Sequence, residues 1–266
     1  MTRYFIRNIK LIALLFFIAL STGNILLGSP QKELSGIINT YAKVNTIEAA
    51  DAVILDDVSG FSVGDTVLFI QMKGVSIQIS HSTGFGNVDN YYGSPGFYEF
   101  IIIEQVETTP VNRITFRNNL IGSYDTGGDI QLVKVPSYQG ALVTDELTCP
   151  PWDSVSGTGG VLALIVDSKL ELNADINVSG KGFLGGAVSV MDGNPLTDTF
   201  FYYPESSSVA GRKGESLASH AAAGELYIDT LAKGIGAMYN GGGGGTGEFS
   251  GGGGGAGYGA GGFGGM

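Results

Sequence analysis

From Ile37 to Tyr138 the chain is a succession of short apolar or alternating runs, broken by glycine, aspartate and proline, with almost no recurrence at helical spacing. Val53–Leu55 is a compact apolar run, and Asp56 to Asp65 carries the glycine and aspartate that reverse a chain. Thr66–Met72 reads as a strand. Phe97–Val106 is the longest strand, and its unbroken apolar centre predicts burial on both faces. Arg113–Phe116 and Asp129–Val135 alternate, which predicts one face in water, and Pro136 ends the latter. Closely spaced turn signals predict an all-β domain over 31–147, a small β-barrel or sandwich.

Residues 148–160 interrupt this pattern. Pro150 and Pro151 remove two amide donors, so the segment reads as a linker, with Trp152 packing across the junction of the two halves. Val161–Val166, Lys169–Leu172 and Ile176–Val178 follow as short strands separated by tight corners. They predict a β-solenoid-like segment over 161–240, in which each rung buries its apolar side on its neighbours. A surface insertion is expected at 187–212, marked by Pro195, Pro204 and the aromatic run Phe200–Tyr203. Ser216–Ala223 reads as either a short helical turn or an extended run of small residues.

Composition changes the picture most at the two ends. Seventeen of the 44 glycines fall in 241–266, which marks a separate glycine-rich module. Such chain is either flexible or packed as a bundle of extended polyglycine helices, where only glycine allows the close approach. Phe249, Tyr258 and Phe263 punctuate the runs and favour order. At the other end, Arg3, Arg7 and Lys10 precede the apolar run Leu11–Leu20, so residues 1–30 read as a secretory signal peptide. An uncleaved inner-membrane anchor reaching Leu27 is the alternative, and Ser21–Gly23 with Asn24 favour cleavage. The chain is therefore expected to be exported, to the cell surface or beyond, with membrane contact only through this segment.

The formal net charge is −11, and loss of residues 1–30 takes it to −14. That balance argues against nucleic acid as a partner. One cysteine, Cys149, excludes an internal disulfide framework and a four-thiolate zinc site. The spacing Gly180-x-Gly182-x-x-Gly185 matches a dinucleotide fingerprint, but no helix start follows it, so no cofactor is expected. His81 and His220 lie in no metal or nucleophile motif. The functional expectation is non-enzymatic. The alternative is a carbohydrate-active enzyme on a parallel β-helix using Asp167, Glu171 and Asp175. A calcium-stabilised solenoid ranks last, since its nonapeptide repeat is missing. Ser80–Gly93 is long, polar and tyrosine-rich. Its His81, Phe85, Asn87, Asn90, Tyr91 and Tyr92 are the candidate ligand contacts, for a surface glycan or protein, against the plainer reading of a loop covering the barrel end.

Ser59–Gly74 and Leu172–Gly186, followed by Lys213-Gly-Glu215 and by Asn240 with the two five-glycine blocks, together resemble the N-terminal region of large glycine-rich, adhesin-like surface proteins of gliding Gram-negative bacteria. The resemblance spans roughly residues 40–266 and supplies no catalytic residues. Such proteins typically end in a type nine secretion sorting domain, which this sequence does not carry. The resemblance thus implies the N-terminal part of a larger secreted protein or another route of export. It also implies O-glycosylation where aspartate precedes serine or threonine and an apolar residue, which marks Thr66, Ser154 and Thr230. The expected role is structural or adhesive.

Overall fold

The computed structural model describes residues 31–187, 200–218, 230–246 and 252–256. The expected signal peptide, His220, Asp229 and the aromatic residues Phe249, Tyr258 and Phe263 lie outside them, as does part of the 187–212 insertion. The described residues are all-β apart from one 3-10 turn at Thr126–Gly128.

Among the described residues thirteen strands run in chain order: β1 Lys32–Ile37, β2 Tyr41–Ala49, β3 Ala52–Leu55, β4 Thr66–Gln71, β5 Val75–Ile77, β6 Val88–Tyr91, β7 Tyr98–Glu107, β8 Arg113–Phe116, β9 Ile130–Lys134, β10 Ser137–Tyr138, β11 Ala141–Thr148, β12 Ile165–Val166 and β13 Leu170–Leu172. Six of them close an antiparallel barrel in the order β2-β3-β8-β7-β4-β9, with β9 returning to β2. Alternation sends Val44, Val53, Val67, Phe69, Ile101, Ile103, Ile114, Phe116, Ile130 and Leu132 inward, where they fill the barrel as one buried cluster. Phe69 meets Phe116 and Tyr124 edge-on, at ring separations of 6.0 and 4.7 Å.

The two faces of the strands differ from expectation. β7 alternates: Ile101 and Ile103 are buried, while Tyr98 and Phe100 face solvent on the uncovered side of the barrel. The doubly covered strands are β4 and β9. Their outward residues Leu68 and Val133, with Val135 beyond β9, are sealed by Val161, Ala163 and Ile165. The covering segment reads as a strand from Val161 but is regular only at Ile165–Val166. Its backbone is satisfied earlier by side chains. Gln131 Nε2 donates to Gly159 O and its Oε1 accepts from Gly159 N, both at 3.0 Å. Tyr41 donates to Val161 O at 2.6 Å. Asn39 Nδ2 donates to Ala163 O at 2.6 Å, and its Oδ1 accepts from Ala163 N at 3.2 Å. Burial, and after it the neighbouring Cys149 thiol, push the Tyr41 pKa well above the usual tyrosine value, which keeps the hydroxyl protonated.

Outside the barrel β5 and β6 pair antiparallel, and the remaining strands are parallel. β1, β11 and β13 form one sheet, and β10 pairs with β12. Residues 137–152 and 165–181 lie side by side at an offset of 28 or 29 residues. The offset runs from the Ser137–Ile165 pair through Ala141–Leu170 and Leu147–Ile176 to the bond from Trp152 N to Lys181 O. The pairing crosses the boundary expected at 148–160, since β1 and β11 belong to the same sheet as β13. Further segments follow by backbone contact: Glu215 N donates to Leu184 O, Gly214 N to Gly242 O, Gly211 N to Gly245 O, and Gly253 N to Gly243 O, at 2.7–2.9 Å.

Gln131 is fully buried and answers both backbone polar groups of one residue, Gly159. The variant Gln131→Leu leaves those groups without partners and is expected to lose about 2–4 kcal/mol in denaturant unfolding. Arg117→Ala, which breaks an exposed pair with Glu104, is expected to change stability by less than about 0.5 kcal/mol.

Candidate ligand-contact surface

The segment expected as a loop at Ser80–Gly93 contains β6, which pairs antiparallel with β5. Ser82–Asn87 forms the turn between them, held by Phe85 N to Ser82 O and Asn87 N to Gly84 O at 2.9 and 3.1 Å. Gly86 has a φ of +85°, and a Cβ there would lie 2.1 Å from Ala237 O. The turn thus rests directly on the backbone at 237, where no side chain fits.

The six candidate residues fall into three groups. His81 and Tyr91 are exposed and engaged with aromatic partners. The His81 ring stacks on Tyr202 at 3.9 Å and lies 4.6 Å from Phe200, and its Nδ1 accepts from Phe201 N at 3.3 Å. Tyr91 meets Tyr239 edge-on at 6.4 Å. A hydrogen bond between the two hydroxyls raises the Tyr239 pKa. Tyr239 has a φ of +55°, a left-handed backbone that a glycine would adopt at lower cost. Asn87 and Asn90 are exposed, with Asn90 opposite Ser76 across the hairpin. Phe85 and Tyr92 face inward. Phe85 belongs to a buried cluster with Val75, Ile77, Leu231 and Met238, which puts its ring out of reach of a ligand. Tyr92 is half-buried, and its carbonyl accepts from Gln71 Nε2 at 2.7 Å.

Two lysines missed from the sequence organise the ground beneath. Lys213 is buried, donates to Phe201 O at 2.8 Å and lies 4.0 Å over the Phe85 ring. Desolvation brings its pKa down to about 7. Lys73 is buried too. It pairs with Glu215 at 3.1 Å and sits 5.7 and 5.6 Å from the Trp152 and Phe183 rings, joining the end of β4 to residues 152, 183 and 215. The second Glu215 oxygen accepts from Leu184 N at 2.8 Å. Gln71, also missed, lies at the inner end of β4. Its amide donates to Lys73 O and Tyr92 O and accepts from Ser94 N and Asp125 N. Gly74, Gly93 and Gly128 make room for it, since a Cβ at any of them would come within 2.5 Å of the amide. One signal was available in the sequence: Gln71 and Gln131 are single amides inside otherwise apolar runs. Lys213, between an arginine and a glycine, gave no comparable sign.

Of the glycosylation candidates, Thr66 is half-buried in β4, while Ser154 and Thr230 are exposed. Asp153 caps the turn that carries Ser154, accepting from Val155 N at 2.9 Å, and that bond holds its carboxyl below the usual range. Asp167 and Asp175 are exposed, and Glu171 is held by Lys169 at 2.7 Å, which lowers its pKa. Among the described residues no group of three His, Cys, Asp or Glu side chains could hold a metal ion. The Cys149 thiol is buried, and desolvation pushes its pKa up. No described helix is long and apolar enough to cross a membrane. No family model, curated protein or solved structure matches the chain.

Lys213 gives a pH signature. Its folded pKa of about 7 lies below the ordinary 10.5, so between those values the unfolded chain binds more protons. Folding carries the full cost of neutralising or burying the charge below pH 7, and that cost fades as pH rises. Denaturation midpoints are expected to climb from pH 7 to 9.5, and Lys213→Met to flatten the climb. A climb unchanged in that variant would assign it to another group.

Proposed function

We propose that this chain is an exported, non-enzymatic surface protein with a structural or adhesive role. Its barrel is joined to a β-solenoid-like stack that runs into packed glycine layers, and it forms the N-terminal part of a larger secreted protein. The observation that carries this reading is the run of backbone hydrogen bonds from 137–152 through 165–186 to 211–215, 241–245 and 253. Glycine is needed there for contact. A Cβ at Gly244 would lie 1.9 Å from Gly211 O, one at Gly242 2.2 Å from Gly253 O, and one at Gly186 2.0 Å from Arg212 O. Chains this close exchange amide and Cα–H bonds along their length and make a stiff support. The resemblance to adhesin-like surface proteins points the same way. On such a support the exposed aromatic groups at His81 and Tyr91, with Asn87 and Asn90, form a contact surface for a glycan or protein.

Gly244→Ala is expected to lower stability by about 2–3 kcal/mol, through overpacking. Gly182→Ala, which has open space and no left-handed φ, is expected to change it by less than about 0.5 kcal/mol in thermal unfolding. Equal effects would remove the structural part of the reading. The adhesive part is tested by retention on immobilised cell-wall and host-surface glycans and proteins. Retention is expected, with at least a tenfold loss in a Tyr91→Ala, Tyr239→Ala double variant. Retention on none of these surfaces would set it aside.

A further inference from the structure

The stack is open along β13. In the ladder with β11, Lys169 O accepts from Ala141 N, and Asn173 N donates to Val143 O. Strand alternation therefore turns the N–H and C=O of Leu170 and Leu172 to the opposite edge. Leu147 bonds Asp175 O and Asn177 N in the same way, which turns Ile176 outward too. No described residue pairs with that edge. The next layer begins only at Leu184, where Glu215 bonds it.

The side chains tell the same story. Leu34, Val143 and Leu172 stand in one row across β1, β11 and β13. Leu34 is 3 % exposed and Val143 0 %, whereas Leu172 is 55 % exposed. Leu170 and Ile176 beside it are 38 % and 39 % exposed. An apolar row that is sealed in two layers and bare in the third, beside unpaired peptide groups, is a seat for one more strand.

Charge selects the occupant. Asp167, Glu171 and Asp175 flank the edge, with Asp145 and Glu146 exposed on β11, and Lys169 already engages Glu171. A second copy is disfavoured: β1 in the repeating register would set Glu33 beside Glu171, and β13 against itself would set Glu171 beside Glu171. We infer that the β13 edge binds an extended strand of another protein whose residues alternate between apolar and basic. Its apolar side chains continue the Leu34–Val143–Leu172 row, its peptide groups pair with Leu170 and Leu172, and its basic side chains face the carboxylates. The inference needs only the open layer, so it can fail while the structural and adhesive reading stands, and the reverse.

The probe is a labelled nine-residue peptide alternating valine and lysine, titrated into the purified chain. It is expected to bind at least tenfold more tightly than a valine–glutamate peptide of the same length, and N-methylation of alternate amides on its pairing edge is expected to abolish binding. Leu172→Lys is expected to weaken binding at least tenfold without moving the thermal midpoint, as that side chain is already mostly in water. Glu171→Gln with Asp175→Asn is expected to weaken it less and to lower its salt dependence. Absence of binding, equal binding of the acidic peptide, or binding unchanged in Leu172→Lys would overturn the inference. Self-association of the chain that Leu172→Lys disrupts would overturn it in favour of a second copy.

Discussion

The rest of the architecture depends on amide side chains standing in for a missing strand. The outer faces of β4 and β9 are apolar and need a cover, and the cover at 159–165 brings peptide groups that must themselves be satisfied. Gln131 and Asn39 each present an acceptor and a donor, and each matches the N–H and C=O of one residue of the incoming segment, Gly159 and Ala163. Tyr41 takes the carbonyl between them. The segment can then lie on the barrel without a ladder of its own, and Val161, Ala163 and Ile165 seal Leu68, Val133 and Val135. Without the amides, the same burial would strand several polar groups away from water.

Much of the barrel was legible because its signal is local. Thr66–Gln71, Arg113–Phe116 and Ile130–Lys134 are strands where alternation or β-branching predicts them. Which faces are covered was not legible, because that depends on what arrives from elsewhere. Asp129–Val135 alternates in sequence yet is buried on both sides, since Gln131 is polar for the sake of Gly159 and not of water. Phe97–Val106 has an unbroken apolar centre yet leaves Tyr98 and Phe100 exposed.

The contact surface was legible only as a stretch of suitable chemistry. Residues 80–93 do bring His81, Asn87, Asn90 and Tyr91 to the exterior, but the same stretch spends Phe85 on the core and Tyr92 on a backbone bond. The partners Phe200, Tyr202 and Tyr239 come from more than a hundred residues away, and no periodicity connects them to the loop. Lys213 illustrates the same limit. In sequence it is an ordinary cation, and only the Phe85–Phe201 cluster makes it a group that titrates near neutrality.

The placement of β1 has a consequence for how the molecule assembles. It precedes the barrel in the chain, yet its hydrogen-bonded neighbour is β11, which follows the barrel, and β2 and β9 lie side by side at the barrel seam. The whole barrel is therefore a loop thrown out between two neighbouring strands of the parallel sheet, with its entry and exit held together at that seam. Until the seam closes, β1 and β11 are the two ends of a tether of about a hundred residues, and joining them carries the entropy of that closure. Once it closes, they are neighbours at almost no further cost. The barrel is thus the clasp that brings β1 to β11, and the same geometry makes it the part that could be grafted out, its two ends already meeting, with a short bridge left in its place.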